Sequence, residues 1–91
     1  MTILAQNYPN PFNPSTTLTY FLPEAGDITL GVFDVQGRLI VRLIERQEIA
    51  GWHTVVWNGT NRRGRRMPSG TYFARLVVDS EVQTCKMILA R

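Results

Sequence analysis

Apolar and polar residues alternate along most of the chain, in short runs separated by turn residues. In the first run Leu18, Tyr20 and Leu22 occupy every second position, and a turn with one proline and one glycine follows at residues 23–27. Because successive side chains of a strand point to opposite faces, this spacing predicts a strand over residues 17–22 with one buried face. The same alternation predicts four more strands, over residues 28–32, 53–57, 72–78 and 82–89.

The segment at residues 38–44 has a different pattern. It is rich in β-branched residues but breaks the strict alternation between Ile40 and Leu43, which indicates a bulge or an edge strand. Gly37 precedes it and supplies the positive φ of a tight turn after the second strand. No window of helical length carries apolar residues at a 3.6-residue spacing. The pattern therefore predicts an all-β fold, an antiparallel β-sandwich of six or seven strands.

Three of the five prolines lie in residues 7–16, which precede the first predicted strand. Proline fixes φ, lacks a backbone donor and forces the residue before it into extended geometry, so this segment is predicted to be a rigid, extended arm. We expect Tyr8 and Phe12 to pack on the sheet and anchor it. The chain then divides into a proline-rich arm, residues 1–16, and a sandwich, residues 17–91.

Size and composition allow one folded domain. The chain has 91 residues, 44% of them hydrophobic, which suffices for a modest core. Cys85 is the only cysteine, so no disulfide forms within the chain, and we expect it to be a small buried side chain of the last strand. No run approaches the roughly 18 apolar residues of a membrane span.

The formal net charge of +3 comes mainly from arginine, and four arginines fall within five residues. These are Arg62, Arg63, Arg65 and Arg66, in a long predicted loop at residues 58–69. The net charge is small and is concentrated in one loop, which does not support nucleic-acid binding. The loop either faces an anion, such as lipopolysaccharide, an acidic glycan or a partner's acidic patch, or is a solvated loop whose charge limits aggregation. Asn58 and Asn61 are expected to close its turns by side-chain hydrogen bonds.

Candidate catalytic residues are few. His53 is the only histidine, and it alternates with Val55 and Trp57, so we expect it at the interior of the sandwich or at its edge. One histidine and one cysteine cannot form a four-ligand zinc site. The seven carboxylates are scattered, and Glu45 and Glu48 lie in a predicted polar connection. No serine, cysteine or threonine has an evident base as partner. We therefore predict no catalytic centre, no cofactor and no metal site.

The aromatic residues fall on both faces of the predicted strands. Those on the predicted core faces are Tyr20, Trp57 and Tyr72, and those on the opposite faces are Phe21, Phe33, Trp52 and Phe73. Part of the second set must be covered by loops, by the arm or by a partner. An exposed Trp52 beside Phe21 or Phe73 would form a platform for sugar rings. This gives the hypothesis of a carbohydrate-binding or adhesive module of a secreted enzyme.

The arm carries a family resemblance. Residues 4–16, Leu-Ala-Gln-Asn-Tyr-Pro-Asn-Pro-Phe-Asn-Pro-Ser-Thr, resemble the opening signature of the type A C-terminal sorting domain of the type IX secretion system. Later segments continue the resemblance: Phe21-Leu22-Pro23, Val32-Phe33-Asp34, Gly37-Arg38, Trp57-Asn58-Gly59 and Ser69-Gly70-Thr71-Tyr72. This glycine-aromatic part is shared with the immunoglobulin-like domain of flagellar hook-capping proteins. Asn58 and Asn61 stand where the family often has aspartate, which weakens the idea of a cation site.

The resemblance implies an immunoglobulin-like sandwich at the C-terminus of a larger exported protein. It implies a non-catalytic sorting module of a Gram-negative bacterium, which the outer-membrane secretion machinery recognises before the cargo is attached to anionic surface lipopolysaccharide or released. The arm would connect the module to an upstream cargo domain, and the protein would be secreted or held at the cell surface. The alternatives are the sugar-binding module and an immunoglobulin-like scaffold of a flagellar hook cap.

Recognition would use a surface of the module. Lys86 and Arg91, at the end of the chain, are candidates for charged contacts with the secretion machinery, or are simply solvated charges. A terminal strand also offers unpaired backbone groups for strand addition by a partner. The candidate partner-binding residues are thus Lys86, Arg91, Arg62, Arg63, Arg65, Arg66 and Trp52.

Overall fold

Seven strands form two antiparallel sheets in the computed structural model, which describes residues 1–91. The strands are β1 (Ile3–Leu4), β2 (Thr16–Leu22), β3 (Gly26–Asp34), β4 (Leu39–Glu48), β5 (Gly51–Trp57), β6 (Gly70–Val78) and β7 (Glu81–Leu89). One sheet has the order β1-β2-β5 and the other the order β4-β3-β6-β7. The prediction of an all-β sandwich of six or seven strands is confirmed. The structure contains no helical segment that could span a membrane.

The core lies between the two sheets, on the faces that the alternation predicts. Sixteen buried residues form one hydrophobic cluster, to which β2, β3, β6 and β7 each contribute every second side chain. Trp57 lies at one end of it, with ring centroids 5.5 Å from Phe12 and 5.2 Å from Tyr72. Its indole N–H donates to the Thr60 carbonyl at 2.9 Å, so the buried tryptophan leaves no donor unpaired.

The irregular strand β4 is both bulged and at an edge, as its pattern indicates. The pairing of β3 with β4 skips Leu43 and Ile40, which therefore have no partner opposite them. The strand continues to Glu48, beyond the predicted end at residue 44. The sequence prediction placed Glu45 and Glu48 in a polar connection. Both faces of this edge strand are partly in water, so its last residues lack the alternation of apolar and polar side chains from which a strand is predicted.

The proline-rich arm packs as part of the sandwich. Its first residues form β1, which pairs with β2, and farther on Phe12 forms a bridge with Leu89 of β7. Phe12 is 2% exposed, so the prediction that it anchors the arm is confirmed. The same prediction is wrong for Tyr8, which is 80% exposed. Tyr8 is held through its backbone, which exchanges two hydrogen bonds with Thr17, and its ring is left in water.

The long loop at residues 58–69 links the two sheets. It leaves β5 at the edge of the three-stranded sheet and enters β6 in the middle of the other. The predicted loop is long for a hairpin, and β5 and β6 indeed do not pair. A connection that crosses between layers has to be longer than a hairpin turn, which accounts for the length.

Candidate functional site

The loop with four arginines has a backbone fixed around Asn61. The Asn61 side-chain oxygen accepts hydrogen bonds from the N–H groups of Arg63 and Arg65, at 2.9 and 3.0 Å. The Asn61 N–H donates to the Arg65 carbonyl, and the Gly64 N–H to the Asn61 carbonyl, both at 2.9 Å. Asparagine favours such turns because its side-chain oxygen reaches backbone groups two residues on. The prediction that Asn61 closes a turn here is confirmed.

Arg91 holds the same loop from the other side. Its Nε donates to the Met67 carbonyl at 2.6 Å, and its Nη2 to the Gly59 carbonyl at 2.8 Å. Its backbone N–H donates to the Ser69 hydroxyl at 2.9 Å. A contact between Arg91 and a partner stays a prediction, whereas its contacts within the chain give it a role in holding the loop.

A groove of about 310 Å³ lies between this loop and the beginning of β4. Its lining residues are Leu39, Ile40, Asn61, Arg62, Arg63, Arg65 and Met67. Arg66 is exposed nearby but does not line it. None of the four loop arginines forms an ion pair. The structure thus brings three of the four predicted arginines together at one groove.

A larger cavity of about 590 Å³ adjoins this groove. It shares Leu39, Ile40 and Met67 with the groove and extends to Asp34 and Tyr72. The hydrogen bond from the backbone N–H of Arg38 is the main reason that the pKa of Asp34 lies below its ordinary value, and the Arg38 side chain adds a salt bridge at 2.9 Å. The Asp34 carboxylate in this cavity is therefore already bound to Arg38.

The outer edge of β7 is covered by the arm. The N–H of Phe12 donates to the Ile88 carbonyl, and the Ile88 N–H donates to the side-chain oxygen of Asn10, both at 2.9 Å. The Gln6 amide donates to the Lys86 carbonyl at 2.9 Å. Strand addition by a partner is therefore blocked at residues 86–88 as long as the arm is in place. The side chain of Lys86 is exposed, and its contact with a partner stays a prediction.

Trp52 lies on the outer face of the three-stranded sheet and is 60% exposed. It is paired with Phe21 across β2 and β5, and the two ring centroids are 5.1 Å apart. The predicted exposed pair of Trp52 and Phe21 is therefore present, whereas Phe73 belongs to the other sheet. Phe33, also on that sheet, is covered by the Arg75 guanidinium at 4.6 Å. Binding of a sugar to the Trp52 pair stays a prediction.

One cluster of titratable side chains joins the two sheets. The hydroxyl of Tyr20 in β2 donates to Glu48 of β4 at 2.8 Å, and Arg46 Nε donates to the same carboxylate at 3.1 Å. The ring of His53 stacks on Tyr20 with centroids 5.2 Å apart, and its Nε2 donates to the Ile49 carbonyl at 2.8 Å. His53 thus lies at the edge of the interior, as predicted. Each group is already bound to another, which is the arrangement of a structural link.

The ionisation of this cluster follows from its contacts. The hydrogen bond from Tyr20, and next that from Arg46, holds the pKa of Glu48 below its ordinary value of 4.5. Burial, and next the hydrogen bond to Glu48, raises the pKa of Tyr20. At neutral pH the carboxylate is charged and the phenol is protonated, so that the phenol donates and the carboxylate accepts. No group in this cluster is free to act as a nucleophile.

Asn7 organises the arm, a role that was not predicted from the sequence. It is 2% exposed, and its amide donates to the Thr16 hydroxyl at 2.9 Å and to the Pro9 carbonyl at 3.3 Å. Its oxygen accepts from the Gln6 amide at 2.6 Å and lies 3.6 Å from the buried sulfur of Cys85. The signal was in the sequence, since an asparagine side chain can hydrogen-bond the backbone two residues on, as the Asn7 amide does at the Pro9 carbonyl.

No three His, Cys, Asp or Glu side chains lie close enough together to hold a metal ion. No buried side-chain nitrogen or oxygen atom lacks a hydrogen-bond partner. The notable surface features are therefore the arginine loop with its groove, the Trp52 pair and the Lys86 side chain.

Comparison with known proteins identifies one family. The model of the FlgD Ig-like domain matches residues 13–81, which is more than half of the chain. No curated protein matches the sequence.

Solved structures show the same fold. Dimeric latent PorU from Porphyromonas gingivalis matches with a TM-score of 0.77 and 22% identity, over 99% of this chain and 9% of that one. FlgD from Xanthomonas campestris, described in the context of hook capping in flagellar assembly, matches with a TM-score of 0.66 and 20% identity, over 96% of this chain and 64% of that one. PorZ, a surface component of the type IX secretion system of P. gingivalis, has a TM-score of 0.61 and 20% identity, over 97% of this chain and 11% of that one.

These neighbours confirm the prediction of an immunoglobulin-like sandwich. The chain spans 9% of PorU, 11% of PorZ and just under two thirds of FlgD, so it corresponds to a part of each of them.

Proposed function

Since the chain belongs to the family of FlgD Ig-like domains, we propose that it is a non-catalytic interaction domain of a larger protein, a scaffold of the hook-cap type. The observation that carries this proposal is the family match over residues 13–81, which extends from the arm to the start of β7. A scaffold domain needs a rigid framework and a surface for partners. The core, in which every buried polar side-chain atom has a hydrogen-bond partner, provides the framework. The arginine loop, whose backbone is fixed by Asn61, provides the surface.

The absence of an assembled reactive centre is consistent with a scaffold. The one histidine stacks on a tyrosine at the edge of the core, and the one cysteine is buried against the arm. Catalysis by a nucleophile requires an accessible group with a base in hydrogen-bond reach, and these residues do not form such a pair. The contacts of the domain with other proteins would then constitute its activity.

The second candidate function is the sorting module of the type IX secretion system. Two observations favour it: the arm with its asparagine–proline signature, and the likeness to PorZ, a surface component of that system, which covers 97% of the chain at a TM-score of 0.61. In this function the domain directs a larger protein through the outer-membrane machinery. The protein would then be attached to anionic lipopolysaccharide at the cell surface or released.

A pair of assays distinguishes the two functions. In the first, this chain replaces the Ig-like domain of FlgD in a flagellated bacterium that lacks its own FlgD, and swimming and hook length are measured. The control is FlgD with that domain deleted. A scaffold of the hook-cap type is expected to give better swimming than the control in which the domain is deleted.

In the second assay, the chain is fused to the C-terminus of a fluorescent reporter with a secretory signal, in a bacterium that has the type IX system and in a strain without it. The sorting module is expected to bring the reporter to the surface or the medium only in the first strain. Export together with no rescue of swimming would overturn the hook-cap proposal. Rescue with the reporter retained in the periplasm would overturn the sorting proposal.

A further inference from the structure

We propose that the groove beside the arginine loop is a binding site for an acidic peptide segment of a partner protein. Arg62, Arg63 and Arg65 would bind its carboxylates. Its apolar side chains would pack on the aliphatic floor of the groove, which consists of Leu39, Ile40 and Met67. This inference rests on the proposed function as an interaction domain, because it assigns a partner class to one of its surfaces.

The charge of the groove is uncompensated. No aspartate or glutamate is among its lining residues, and the salt bridges of the domain involve other basic residues, Arg38, Arg42, Arg46 and His53. Arginine presents a planar set of donors that matches a carboxylate in a bidentate arrangement. Three such groups around one groove, with no internal acid to compete, favour an occupant with several carboxylates.

The groove is also organised in advance. Asn61 binds the backbone of the loop at Arg63 and Arg65, and the Arg62 N–H donates to the Ile40 carbonyl of β4 at 3.3 Å. Arg91 closes the other end by its bonds to the carbonyls of Gly59 and Met67. The loop backbone therefore loses little conformational freedom when a ligand binds, which lowers the entropic cost of association.

The floor of the groove distinguishes a peptide from a glycan. Leu39, Ile40 and Met67 are aliphatic or thioether side chains, and no aromatic ring lines this groove. Sugar rings bind best on aromatic faces, and the exposed aromatic pair of this domain, Trp52 and Phe21, belongs to the outer face of the other sheet. An extended peptide that alternates acidic and aliphatic residues fits arginines above an aliphatic floor.

The probe is an acetylated, fluorescently labelled peptide Glu-Leu-Glu-Leu-Glu-Leu, titrated against the full chain and followed by fluorescence anisotropy at low salt. We expect saturable binding that weakens as salt is added, because the carboxylate contacts are exposed to screening. Arg62→Ala, Arg63→Ala and Arg65→Ala should each weaken binding several-fold when made singly, and by at least about tenfold together, since hydrogen bonds between an arginine and a carboxylate are among the stronger ones even after screening.

Arg66→Ala is the matched control. It removes the same charge from the same loop at a residue that does not line the groove, so we expect less than about a twofold change, typical of a surface charge. If Arg66→Ala weakened the binding of the peptide as much as each substitution of a lining arginine does, the attraction would come from net charge alone. That result would overturn the proposed site. No saturable binding of the peptide would also overturn it.

Two further ligands test the floor and the class of occupant. The peptide Glu-Ser-Glu-Ser-Glu-Ser has the same charge, and it should bind several-fold more weakly if the leucines use the aliphatic floor. Equal binding of the two peptides, or tighter binding of a polyglucuronate oligosaccharide of equal charge, would overturn the peptide proposal. A negative result in these peptide titrations would not change the outcome of the swimming and export assays, because those assays contain no peptide probe.

Discussion

Gly59 is a residue whose backbone and surroundings both exclude a side chain. Its φ is +75°, in the left-handed region, and it lies buried at the point where the loop leaves β5. A Cβ at this position would lie 2.9 Å from Arg91 Nη2 and 3.1 Å from the Pro14 carbonyl oxygen. Arg91, the arm and the arginine loop therefore meet at a residue that has to be glycine.

The substitution Gly59→Ala is expected to destabilise the domain more than Gly64→Ala. Both positions have a positive φ, which costs an alanine about 1–2 kcal/mol, but a Cβ at Gly64 meets no atom within 4 Å. Urea denaturation gives the two free energies of unfolding, and Gly64→Ala serves as the control for the backbone alone. Equal losses would mean that the close approach of Arg91 and Pro14 has no energetic consequence.

The arm contributes to the sandwich through one buried ring and a series of hydrogen bonds. Phe12 fills the end of the core beside Trp57, while its backbone N–H binds β7 and that of Tyr8 binds β2. The polar side chains of Gln6, Asn7 and Asn10 bond to backbone or side-chain groups of the arm, β2 and β7. The edge of β7 is therefore protected from pairing with another chain.

Phe12→Ala is expected to lower the free energy of unfolding by about 3–5 kcal/mol, the usual loss for a buried phenylalanine. The matched variant Tyr8→Ala removes an exposed ring from the same arm and should change stability by no more than about 0.5 kcal/mol. Both values come from chemical denaturation. Light scattering of the Phe12→Ala variant should also show more association, since a loosened arm leaves the β7 edge open. A similar loss for both variants would contradict the assignment of Phe12 as the anchor.

At the scale of the whole molecule, Glu48 links the two sheets by accepting the hydrogen bond from Tyr20. Its pKa is lower in the folded protein than its ordinary value of 4.5, so the folded state favours the charged form. The resulting stabilisation is present above pH 4.5 and is lost as the pH falls through the folded pKa. The domain should therefore lose stability on acidification below about pH 4.5.

Glu48→Gln is expected to lower stability at pH 7 and to reduce the loss between pH 5 and pH 3. Glu45→Gln removes the same charge from the same strand at an exposed carboxylate whose arginine partner is 3.6 Å away, and it should keep most of the dependence of the native protein. Thermal unfolding followed at a series of pH values measures both. Asp34, whose pKa is also lowered, keeps its own contribution in each variant. Identical profiles for the two variants would contradict the role of Glu48.

The alternation of apolar and polar residues is enough to predict the class of fold and most of the core. The alternation at Leu18, Tyr20 and Leu22 depends only on the two-residue period of a strand. A strand with that pattern has one buried face in any sandwich. The bulged pattern around Ile40 and Leu43 likewise reports a local property of the backbone. These features were predictable because neighbouring residues decide them.

Which residues meet depends on contacts between parts of the chain that are far apart in sequence. Gln6 and Lys86 are separated by 80 positions, and Arg91 reaches Gly59 across 32, so no local pattern indicates that the arm covers β7 or that the last residue holds the arginine loop. The exposure of Tyr8 beside the buried Phe12 has the same origin, because the direction in which the arm crosses the sheets decides which ring enters the core. The groove exists for this reason too: Arg62, Arg63 and Arg65 are neighbours in sequence, but their aliphatic floor is completed by β4 of the second sheet.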